Sequence, residues 1–78
     1  MQGTISRLTS RDATQLGITL ARFRKQNEMT QAQLAELAGV LQKTVSTVER
    51  GDPGTQLRTL FKILAALDLE LVVNGRGE

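Results

Sequence analysis

A chain of 78 residues with 40% apolar and 3% aromatic side chains has room only for a small core built from Leu, Val, Ile and Ala, with Phe23 and Phe61 the only large rings, because a chain this short buries about 60% of the surface it exposes when unfolded. With no cysteine and no histidine, disulfides, thiolate or imidazole zinc sites, thiol nucleophiles and histidine bases are excluded, and self-association is the expected source of the missing stability. Net charge is +2, unevenly spread: Arg7, Arg11, Arg22, Arg24 and Lys25 against Asp12 give residues 1–25 a local charge of +4, while Asp68, Glu70 and Glu78 against Arg76 give residues 66–78 a local −2.

Residues 1–11, polar and basic apart from Ile5 and Leu8, read as a flexible or strand-like arm. Asp12 with Gln15 three positions later is an N-cap box pattern, so a first helix is expected from there, with Leu16, Leu20 and Phe23 at i, i+4, i+7 forming its apolar stripe. Thr30 is the expected cap of a second helix, QAQLAELA, with Leu34, Leu37 and Ala38 on one face and Gly39 ending it. A third helix must start almost at once. Its Val45 and Val48 lie three apart, among polar Gln42, Lys43, Ser46 and Thr47. The stretch GDPG marks a loop, and Gln56 to Leu67 predicts a fourth helix with Leu57, Leu60, Ile63, Leu64 and Leu67 buried. The alternating tail Leu69, Glu70, Leu71, Val72, Val73 reads as a strand that must pair with the Thr4–Leu8 arm or with its own copy in a second subunit. No apolar run approaches the roughly 18 residues of a membrane span, and the start lacks a secretory signal core, so an intracellular chain with no membrane partner is expected.

The second and third helices, joined by a short turn containing a glycine, match the helix-turn-helix unit. Ala35 supplies the small residue at the crossing, Gly39 the left-handed turn position, and Leu34, Ala38, Val40, Val45 and Val48 the apolar positions that hold the two helices together. The expected fold is therefore all-α, a compact domain of four to five helices over residues 12–68, with the arm before it and a short strand and tail over 69–78.

Side-chain chemistry on the third helix suits base reading. Gln pairs with adenine, Lys donates to guanine, and Ser and Thr serve several bases, so Gln42, Lys43, Ser46 and Thr47 are the candidate base-contacting residues. Thr30 and Gln31 at a helix N-terminus, Thr44, and Arg50, Thr55 and Gln56 around the loop are the candidate phosphate contacts, which set register rather than sequence. Leu69, Leu71 and Val73 are the candidate dimer-strand residues. With eight carboxylates scattered and no nucleophile–base pair, no catalytic site, metal or cofactor is expected.

From Leu16 through Leu67 the chain resembles the lambda-repressor/Cro type of helix-turn-helix, the XRE family, through LGITLARFRKQN, MTQAQLAELAGV, TVSTVERG and LRTLFKILAALDLEL. More narrowly, TQL near the start, QN before the second helix and LFKILAALDLEL running into an alternating tail are similar to the HipB-type antitoxins. The resemblance implies that the third helix lies in the major groove, that Gln31 grips the DNA backbone, and that Arg24 and Glu49 form a structural ion pair. It further implies a homodimer on a palindromic operator, with recognition helices about 34 Å apart, a HipA-like serine/threonine kinase toxin as partner, and a place in the prokaryotic cytoplasm near the nucleoid. Leu41 departs from the family pattern, standing where a polar or, in HipB-type proteins, a basic residue is usual. Two other readings share most of these residues: a stand-alone repressor with no toxin, and a protein-binding module that does not touch DNA.

Overall fold

The computed structural model describes residues 8–76, and four helices make up its regular structure: α1 (Ala13–Gln26), α2 (Gln31–Ala38), α3 (Gln42–Glu49) and α4 (Leu57–Ala66). Local chemistry sets most of the boundaries. Asp12 accepts the N–H of Gln15 at 2.8 Å, while the Gln15 side chain reaches past the cap to accept from the N–H of Arg11 at 2.7 Å. Thr30 and Gln33 form the full reciprocal box, at 3.0 Å and 2.8 Å; such caps contribute about 1 kcal/mol each. Gly39 ends α2 in the left-handed conformation, at φ 75°. Glu28 and Asp68 do the same work without being glycine, at φ 58° and 59°. Beside them, Met29 N–H donates to Arg24 O at 3.1 Å and Leu69 N–H to Leu64 O at 2.8 Å, closing α1 and α4 in the same way.

The core is Leu20, Leu34, Ala35, Val45, Val48, Leu60, Ile63, Leu64 and Leu67, with Leu16, Phe23, Met29, Ala38, Val40, Ala66 and Leu69 packed around it. Helix α2 packs on both α3 and α4, and α1 packs on α3. The α1–α3 approach is close: a Cβ on Gly17 would lie 2.6 Å from the carbonyl oxygens of both Val48 and Glu49. Gly51, at φ 88°, is likewise pressed against Thr14, whose Cα would be 2.7 Å from an added Cβ. The start of α1 therefore clamps the end of α3.

Several expectations need correction. Leu37 is 63% exposed, because the buried arc of α2 runs through Leu34, Ala38 and Ala35 and leaves Leu37 just outside its edge. Leu57 is 67% exposed; it opens α4 one turn ahead of Leu60, beyond the packed part of the face. Residues 69–76 form no strand in the single chain, since an extended segment needs a neighbour to share its backbone hydrogen bonds and residues 8–76 supply none. Leu69 instead closes α4 and rests on the core, while Leu71 and Val73 are exposed. The first seven residues of the arm, with most of the Thr4–Leu8 pairing candidate, and residues 77–78 lie outside the described residues. No helix among the described residues is long and apolar enough to cross a membrane.

Candidate nucleic-acid interface

Helix α3 is two turns long, about 12 Å, and its two sides are sharply different. Val45 is 0% and Val48 6% exposed, locked beneath α2 and α1, so the residues between them must project outward. Gln42 and Lys43 are exposed, and Thr44, Ser46 and Thr47 are half-buried. Among the described residues nothing covers the first two. Arg50, just past the end of α3, folds back along this face and donates to Ser46 Oγ at 2.7 Å and to Thr47 Oγ1 at 3.3 Å. The outward side of α3 thus carries two cations, Lys43 and Arg50, while its one carboxylate is turned inward.

That carboxylate is Glu49. Arg24 Nε donates to Glu49 Oε2 at 2.7 Å and Arg24 Nη2 to Oε1 at 3.1 Å, a bidentate pair whose side chains are only 10% and 8% exposed. Arg24 Nη1 also donates to the carbonyl of Met29 at 2.7 Å. The same carboxylate accepts from Gln31 Nε2 at 2.9 Å. One guanidinium therefore joins α1, the α1–α2 link and α3, and Gln31 adds the start of α2.

The candidate phosphate contacts fall into two places. Thr30 and Gln31 are at the N-terminus of α2, where Thr30 is already engaged in its capping box. Thr44, Thr55 and Gln56 come together with Lys43, Thr47 and Thr59 along an open cleft between α3 and the start of α4. Asp52 also lines this cleft, and its carboxylate accepts the N–H of Gly54 at 3.0 Å within the GDPG turn. Thr55 donates its hydroxyl to Asp52 O at 3.0 Å. Arg50 sits apart, over Ser46 and Thr47. Two features escape a reading of the sequence: Thr59, which its position three residues after Gln56 on α4 makes findable, and the Gln31–Glu49 bond, which no sequence signal carries.

The N-terminus of α3 has no side-chain cap. Leu41 is extended, at φ −78° and ψ 151°, and makes no capping bond, although its carbonyl accepts from Thr44 and Val45 at 3.0 Å and 3.3 Å. Its side chain is 67% exposed.

A helix-turn-helix family model matches residues 20–74. Antitoxin HipB of Escherichia coli is similar in two strains: 40% identical over 60 residues, which is 77% of this chain, 64% of the strain CFT073 protein and 68% of the strain K12 protein. The chain thus spans just under two thirds of the first of these relatives. Among solved structures, a HipB variant in a complex with an O2 20-mer superposes with a TM-score of 0.84 at 37% identity, over 91% of this chain and 99% of that one. HipB in a HipA–HipB–O2–O3 complex gives 0.78 at 35% identity, over 92% and 99%.

Proposed function

The chain belongs to the helix-turn-helix family, in the branch that holds the HipB antitoxins, and from that premise we propose that it is a sequence-specific DNA-binding repressor that acts as a homodimer, serves as the antitoxin of a HipA-like kinase toxin and represses its own operon. The observation that carries DNA binding is the exposed pair Gln42 and Lys43 on a helix whose valines are 0% and 6% exposed. A rigid, cationic ridge of this width fits the major groove. Gln42, Lys43, Ser46 and Thr47 read bases; Arg50 leaves the two hydroxyls to meet a phosphate as DNA enters. Thr44, Thr55 and Gln56 hold one stretch of backbone and Thr30 and Gln31 another.

The link to a kinase toxin rests on the similarity to HipB and on its solved complex with HipA. The protein is a binder rather than a catalyst, and its place is the bacterial cytoplasm. Two functions on one small chain require separate faces. The α3 ridge takes DNA, and the remaining helix surfaces are left for the toxin. Mixing the purified chain with a duplex from its own upstream region, and separately with the product of a neighbouring kinase-like reading frame, tests both halves. A retarded, sequence-selective DNA complex together with a stable protein complex is expected; toxin binding without DNA binding selects the protein-module reading, and DNA binding with no kinase partner selects the plain repressor.

A further inference from the structure

We infer that Leu41 is a specificity-determining residue that reads the 5-methyl group of a thymine in the major groove, an inference that rests on the DNA-binding reading of α3. Leu41 stands at the N-cap of that helix, immediately before exposed Gln42 and Lys43, at the end from which a recognition helix meets base edges. Serine, threonine, aspartate or asparagine would stabilise this position by capping; leucine cannot. Nor does its side chain serve the fold. Val40 turns inward onto the core, whereas Leu41 takes no part in it and is 67% exposed. The backbone carbonyl of Leu41 alone does the work of starting α3.

An isobutyl group held at the reading end of a polar helix has one counterpart on unmodified duplex DNA. Of all the major-groove edges, only that of thymine presents an apolar group, its C5-methyl, among hydrogen-bond donors and acceptors. Isolated exposed leucines are common and usually idle, so the position decides: Leu37 is exposed to a similar degree, 63%, but belongs to α2 and not to the start of α3. Leu37 is the natural control.

The experiment selects a binding site from a randomised duplex pool with the wild-type chain, then replaces each thymine of the half-site by deoxyuridine, which removes only the methyl. Affinities are measured for wild type, Leu41→Ala and Leu37→Ala. One thymine is expected at which deoxyuridine weakens wild type about fourfold per half-site, leaves Leu41→Ala unaffected, and weakens Leu37→Ala as it does wild type. A selected site in which no thymine separates wild type from Leu41→Ala, or in which Leu37→Ala loses the discrimination too, overturns the assignment while leaving DNA binding intact. If no site emerges from the pool, the DNA-binding reading itself fails.

Discussion

Gln31 Nε2 and Glu49 Oε1 are 2.9 Å apart, joining the first residue of α2 to the last residue of α3. The bond ties the end of α3 to the start of α2 and orients the Gln31 amide, the group proposed above to hold a phosphate. Gln31→Ala is expected to weaken binding to every duplex alike, with little change in base preference. Gln31→Glu sets a second carboxylate against one that is nearly out of water and is expected to be the less stable of the two in urea unfolding. Equal stability of the two variants would remove Gln31 from the ion-pair network.

The Arg24–Glu49 pair is nearly out of water, so the asymmetry of buried ion pairs applies. Arg24→Met strands the carboxylate with only the Gln31 amide, and a loss of about 3–5 kcal/mol is expected, a large part of the total stability of so small a domain. The double variant Arg24→Met/Glu49→Leu removes both charges and is expected to recover most of that loss. Chemical denaturation of the single and double variants checks this.

Gly17 tests the α1–α3 contact by steric means. In a helix interior alanine is favoured over glycine by about 1 kcal/mol, yet the added Cβ would stand 2.6 Å from two backbone oxygens that cannot step aside. Overpacking of this kind costs about 1–3 kcal/mol, so Gly17→Ala is expected to lower the melting temperature. A rise would mean that α1 is free to shift on α3.

Leu71, Val72 and Val73 are 52%, 62% and 88% exposed, a run of apolar side chains that a second copy of the chain would cover. Truncation after Leu69 keeps the closure of α4 and removes this run. The full chain is expected to have the mass of a dimer in light scattering, and the truncated chain that of a helical monomer by the same measurement and circular dichroism. A truncated chain that remains dimeric would move the interface elsewhere, with exposed Leu57 and Phe61 on α4 as the next candidates.

Helix order and the two faces of α3 were legible in the sequence because each depends on neighbours a few residues away: the Thr30 box, Gly39 and the Val45/Val48 spacing are local signals. What escaped depends on distance. Leu57 belongs by angle to the buried side of α4, and only the position of α2 reveals that the core ends at Leu60. Leu37 matches the period yet falls outside the arc that Ala35 occupies, since a small residue at the crossing draws the partner toward itself. Gly17 carries no mark of its role, which is created by Val48 and Glu49 thirty residues further along. The sequence groups Arg50 with Thr55 and Gln56 around the loop, whereas the fold sets Thr44 beside Thr55 and Gln56 in one cleft and turns Arg50 over Ser46 and Thr47, an arrangement of rotamers that no spacing encodes. Alternation in the tail was visible, but a strand is a property of two segments.

Whether α3 reads DNA is decided by the salt dependence of binding to a selected duplex, measured side by side for wild type, Gln42→Ala and Lys43→Ala. If Lys43 and Arg50 of each of two protomers neutralise phosphate charge, log K against log salt has a slope of about −3.6 for the wild type. Each variant is then expected to lose about 1–3 kcal/mol of preference at one base position. A slope near zero, or base preference unchanged in both variants, would mean that α3 does not read DNA.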